Sequence, residues 1–127
     1  MRRSIVGLLV SGALVLGGCA SGGEGPAATA TEPSGPHLTV TAKDIAFDTA
    51  QLEMTAGQPT LIYFVNQDDS PHDIKIAANV SGGGSMFEGA IINKGAIVYD
   101  VPAFGAGSYF FLCLVHPNMN GTVQVAP

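Results

Sequence analysis

The chain has 127 residues, 46% of them hydrophobic and 12% charged, a balance that excludes intrinsic disorder and leaves room for one packed domain rather than two. Ten acidic residues face five basic ones, and loss of Arg2 and Arg3 with the N-terminal leader leaves three lysines against the same ten acids, a net −7. That sign argues against nucleic acid and anionic lipid as partners and favours a cationic protein. Seventeen glycines, eight prolines, no tryptophan and no long stretch of helically spaced apolar residues point to an all-β chain.

The first residues read as an export signal. Arg2 and Arg3 supply the positive start, Ile5 to Leu16 the apolar core, and Leu16-Gly17-Gly18 a small-residue cleavage site. The apolar stretch falls short of the ~20 residues of a spanning helix. Leu16-Gly17-Gly18-Cys19 resembles a bacterial lipobox, which implies a signal peptide over 1–18 and a lipidated Cys19. The mature protein is then expected outside the cytoplasm, lipid-anchored to the cell membrane. Residues 19–36 follow as a linker; Ala20 to Pro36 contains only Ala, Gly, Ser, Thr, Pro and Glu and cannot bury enough apolar surface to offset its own ordering. As a flexible coil it would reach roughly 20–25 Å.

Residues 37–127 form the expected domain, a series of short strands separated by turn signals. Leu38 and Val40 alternate with Thr39 and Thr41 in a first strand. A loop around Phe47 and Leu52 and a turn at Ala56-Gly57 lead into Leu61 to Val65, an apolar run suited to a central strand. After the turn cluster Asn66 to Pro71, the spacing places His72, Ile74 and Ile76 on an inner face and Asp73 and Lys75 on the outer one. Ser81 to Ser85 is a flexible loop, and Ile97, Tyr99 and Val101 alternate in a further strand. Gly105-Ala106-Gly107 turns the chain into Ser108 to Leu114, with Tyr109, Phe111 and Cys113 on one face. Val115 to Gly121 is a tight loop, and Thr122 to Val125 closes the domain.

Cys113, His116 and Met119 on that strand end and loop, together with the inward His72, offer one thiolate, two imidazoles and one thioether. This is the donor set of a type 1 copper site, with His2Cys in a plane and Met119 as the weak axial ligand. Soft sulfur suits Cu(I) and imidazole suits Cu(II), so one cage serves both oxidation states. Structural zinc wants four Cys, His or carboxylate ligands and catalytic zinc keeps a place for water, and neither has a use for Met119. Singly, His72 reads as a core histidine, Met119 as core filler and Cys113 as a small buried hydrophobe; their joint placement favours the metal. His37, beside the linker, reads as a surface residue.

Leu38 to Val125 resembles the plastocyanin and amicyanin branch of the cupredoxins. The likeness rests on Ser70-Pro71-His72, on Gly107 to Cys113 as the penultimate strand, and on Cys113-Leu114-Val115-His116-Pro117-Asn118-Met119 as a short ligand loop. It implies a Greek-key sandwich of about eight strands with one copper at one end, and single-electron transfer between redox proteins such as a basic cytochrome or a terminal oxidase, by a monomer without enzymatic activity. It also implies that the His116 ring edge lies in an apolar surface patch, to which Phe104 is expected to contribute. Two positions depart from the family pattern: Asp73 stands where Asn is usual and Leu112 where plastocyanins carry Tyr. A carboxylate at 73 can accept the same backbone N–H but cannot donate. The alternative function is a copper carrier or chaperone that delivers the metal to an oxidase, which methionine- or histidine-rich tracts would favour.

Overall fold

The computed structural model describes residues 28–127, and its first strand, β1 (Leu38–Lys43), turns Val40 and Ala42 inward and Thr39 and Lys43 to solvent. A turn leads to the two-residue β2 (Ala46–Phe47), and β3 (Gln51–Thr55) follows, with Leu52 and Met54 buried between exposed Gln51, Glu53 and Thr55. The loop expected here is replaced by these two strands, because the apolar positions of Gln51–Thr55 fall on one face at period two even though Gln and Glu are poor strand formers. Next come β4 (Thr60–Asn66), β5 (Lys75–Ala77), β6 (Ser85–Glu88), β7 (Gly95–Val101), β8 (Gly107–Leu112) and β9 (Asn120–Ala126). The described residues thus hold nine strands and no helix, where about eight strands were expected.

The strands form two sheets, ordered β2-β1-β4-β7 and β3-β9-β8-β5-β6. β1 pairs parallel with β4 and β3 parallel with β9; the other neighbours are antiparallel. Val40, Ile62, Phe64 and Val101 from the first sheet and Ile76, Phe111 and Val123 from the second are fully buried in the core between them. Phe47 meets Phe111 across this core with ring centroids 5.2 Å apart. Gly121 lies directly beneath the Phe111 ring and the Ala50 carbonyl, and any Cβ there would collide with both.

Strand direction defines two poles. Register pairs Lys75 with Leu112 and Leu112 with Asn120, so β5 begins, β8 ends and β9 begins at one pole. The residues just outside those strand ends, His72 and Cys113 to Met119, therefore meet there. Phe104 lies at the opposite pole, where its carbonyl accepts the Gly57 N–H at 3.0 Å and its ring packs on Tyr109 at 5.6 Å. Phe104 is buried, so it forms no part of a surface patch around His116.

Two further expectations change. Residues 72–77 do not alternate: Asp73 is fully buried and Lys75 nearly so. β5 lies between β8 and β6, and Asp73 sits under the ligand loop, while the Lys75 ammonium reaches Glu88 of β6 at 3.0 Å with its stem covered. The tether also does not run free up to Pro36. Thr29 forms a parallel bridge with Ala96, and Ala96 N–H donates to Ala28 O while Ala30 N–H donates to Ala96 O. Gly95, at φ 142°, admits this strap, since a Cβ would strike the Ala28 carbonyl. His37 is half-buried where the strap meets β1, its Nδ1 2.7 Å from Gly35 O and its Nε2 3.1 Å from Glu32.

Candidate metal centre

Pro71 closes the turn that follows β4, and His72 then enters through an isolated bridge: its N–H donates to Ile92 O at 3.0 Å and its carbonyl accepts the Ile92 N–H at 2.9 Å. The buried Asn66 side chain holds this corner together. Its Nδ2 donates to Ser70 O at 2.8 Å and Ile92 O at 3.0 Å, and its Oδ1 accepts the Asp68 N–H at 2.9 Å. The imidazole of His72 is thereby anchored without solvent contact, its Nε2 2.8 Å from Asp68 Oδ2.

The second half of the site is local in sequence. Cys113 stands one residue beyond β8, its N–H donating to Met119 O at 3.0 Å, and the Met119 N–H donates to His116 O at 2.8 Å. These bonds close the loop upon itself. Asn120 Nδ2 reaches the carbonyls of Pro117 and Asn118, each at 3.2 Å.

The two halves meet at their donor atoms. His116 Nδ1 lies 3.2 Å from His72 Nδ1, and Cys113 Sγ lies 3.7 Å from His72 Nδ1. One donor atom from each of the three residues falls within 4.8 Å of the others, and Met119 stands beside them, 3% exposed. A first-row ion with bonds of about 2.0–2.1 Å to nitrogen and about 2.3 Å to sulfur, ligands 120° apart, needs separations of about 3.5 Å and about 3.8 Å. The two separations from His72 Nδ1 match these values, and Cys113 Sγ and His116 Nδ1 stand within 4.8 Å of each other. Cys19, expected to carry lipid, lies outside the described residues, as does the signal peptide.

Electrostatics point the same way. Burial pushes the Cys113 thiol up, and the neighbouring Asp73 carboxyl adds to that, while backbone N–H groups of Asp73, His116 and Val115 directed at the sulfur pull in the opposite sense. Amides directed at a buried sulfur serve a thiolate, and a cation would supply the remaining compensation. Asp73 Oδ1 accepts the Leu114 N–H at 2.8 Å, tying the His72 segment to the ligand loop, but Oδ2 has no partner. Burial raises this carboxyl above the usual carboxylate range.

Comparison with known proteins places this architecture. The family model of the cupredoxin-like domain matches residues 12–125. The chain belongs to that family. Among curated relatives of this cupredoxin, amicyanin of Paracoccus versutus is 29% identical over 102 residues, 80% of this chain and 74% of that protein. The crystal structure of the Paracoccus versutus protein superposes with a TM-score of 0.59 at 28% identity, over 80% of this cupredoxin and 91% of amicyanin. Auracyanin of Roseiflexus castenholzii shares the fold at 18% identity, with a TM-score of 0.64, over 75% of this chain and all of that one. An amicyanin variant solved in its Cu(I) form is 26% identical with a TM-score of 0.57, over 74% of this chain and 86% of that one.

Of the residues singled out by spacing, His72, Cys113, His116 and Met119 come together. Asp68 and Asn66 were legible only as turn formers. Nothing in a turn cluster marks which carboxylate will fold back on an imidazole four residues on.

Proposed function

We propose that this protein is a type 1 copper protein that carries single electrons outside the cytoplasm, anchored by lipid at Cys19. The observation that carries it is the convergence of two Nδ1 atoms and one Sγ, beside Met119, at a pole where Pro117 and Asn118 lie exposed. Copper held by His72, Cys113, His116 and Met119 would supply one-electron chemistry. The surrounding residues keep that site dry and rigid: His72 is fixed on both sides, and the loop carrying the other three is closed by its own backbone bonds. His116, half-buried where His72 is wholly buried, is the ligand nearest to solvent. Leu114 and Val115 beside it are about 40% exposed and offer an apolar surface for brief docking. Copper delivery finds less support, since Met54 and Met119 are in the core and Met86 packs against it, leaving no methionine tract on the described surface.

The decisive experiment is the visible spectrum of the oxidised, copper-loaded protein. An intense blue thiolate-to-copper band is expected; its absence with copper bound would overturn the reading. The partner is read as a cationic redox protein met by a monomer. With a basic cytochrome, the bimolecular rate should fall several-fold as the Debye length shrinks from about 30 Å at 0.01 M to about 10 Å at 0.1 M ionic strength. A charged residue in place of Asn118 should slow transfer and leave the spectrum unchanged. A rate that rises with salt would reverse the sign of the partner.

A further inference from the structure

Among the described residues only two non-glycines take positive φ, and they are consecutive: Asp44 at 55° and Ile45 at 57°, in the turn between β1 and β2. A β-branched side chain is among those least suited to the left-handed region, and such outliers persist where the surroundings demand them. The surroundings here are a single carboxylate. Asp44 N–H donates to Asp68 Oδ1 at 2.7 Å, and Ile45 N–H donates to Asp68 Oδ2 at 3.0 Å. The left-handed backbone aims both amides at Asp68 from a turn more than twenty residues away in sequence.

Asp68 in turn faces His72, whose Nε2 lies 2.8 Å from Oδ2. Both carboxylate oxygens already accept an amide N–H, so the remaining contact needs a proton from the ring. His72 must carry its hydrogen on Nε2 and leave the Nδ1 lone pair bare, and Nδ1 is the atom that faces Cys113 Sγ and His116 Nδ1.

We propose that the left-handed turn Asp44-Ile45 and Asp68 form a brace that locks His72 in the Nε2–H tautomer, with Nδ1 turned toward the metal position. Asp68 is a positioning residue acting through His72, and the turn acts through Asp68. The value of this arrangement to the metal rests on the copper reading above; the tautomer does not. Removing the Asp68 charge makes the imidazole a weaker donor, which affects Cu(II) more than Cu(I). The loss expected for such a partner is about 10–100-fold in Cu(II) affinity, with a rise in reduction potential.

The test begins with metal-free, 15N-labelled protein. Long-range proton–nitrogen spectra should show His72 as the Nε2–H tautomer alone, and the Asp44 and Ile45 amides should exchange slowly with solvent. A His72 protonated on Nδ1 in the wild-type protein would overturn the proposal without any variant. Asp68→Asn retains the shape but sets an amide NH2 where a carboxylate oxygen accepted; it should give mixed His72 tautomers, faster exchange at both turn amides and, after loading, the higher potential. An unchanged tautomer and potential in that variant would overturn the brace. If copper gives no blue centre while the tautomer shift still occurs, the brace stands and the copper reading alone falls.

Discussion

The two poles of the sandwich invert each other's burial. At the metal pole Asn66, His72, Asp73 and Cys113 lie within, none more than 1% exposed, while Ile45, Ile91, Leu114 and Val115 stand outside at 39% to 52%. At the far pole Phe104 is covered and packed on Tyr109, and Gln58 and Pro59 face solvent. The hydrophobic effect by itself produces the second arrangement. The first costs stability, because buried polar groups must each find a partner and exposed apolar ones gain nothing from water. One pole stabilises the fold and the other spends part of that stability on a site.

The sharpest test of this division is Cys113→Ser. It should abolish the blue absorption completely even if copper still binds, and a retained band would remove Cys113 from the ligand set. Phe104→Ala should do the reverse: a loss of about 3–5 kcal/mol in urea unfolding, with the spectrum of the loaded protein untouched. A changed spectrum would mean that the poles are coupled.

Asp73→Asn asks what the polar interior of the metal pole costs. An amide at this position keeps the acceptor for Leu114 N–H and sets Nδ2 where Oδ2 has no partner, but it removes a buried charge, and a neutral polar group costs less to bury than an ionised one. The metal-free variant should melt several degrees higher, since about 1 kcal/mol moves a domain of this size by about 4–8 °C. A lower melting temperature by calorimetry would show that Oδ2 has a use in the metal-free protein.

The smallest effect is expected at His37, which joins the strap to the far pole. The Gly35 carbonyl foremost, and then Glu32, raise its pKa above the ordinary histidine value, because both ring nitrogens face oxygens. A raised folded value means that the contribution is complete below the unfolded value of about 6.5 and is lost as pH rises through the folded one. Melting temperatures should therefore fall slightly across that interval in the wild-type protein, and His37→Ala should flatten the change. An identical slope in the variant would place the titration elsewhere.

The ligand loop was legible because its chemistry is local. Cys113, His116 and Met119 lie within seven residues, and a strand followed by a tight turn leaves few ways to arrange them. The strands from Leu61 to Val65 and from Ile97 to Val101 were legible because their apolar content or alternation is strong. β3 was hidden by Gln51 and Glu53, residues of low strand propensity whose exposed positions are decided by pairing with β9. Asp73 and Lys75 were misplaced for a related reason: alternation names two faces of a strand, but not what covers the outer one.

By itself, then, the sequence determined the all-β class, the candidate donor set and the loop that carries three of its four members, since each follows from residue type and short spacing. Tertiary structure alone decided which pole is which. Phe104 and His116 are only twelve positions apart, yet the intervening β8 carries them to opposite ends of the molecule. It alone also brought Asp44 and Ile45 to Asp68, and Asp68 to His72. The physical reason is range: propensity and period act over a few residues, whereas a buried imidazole takes its partners from wherever the sheets deliver them.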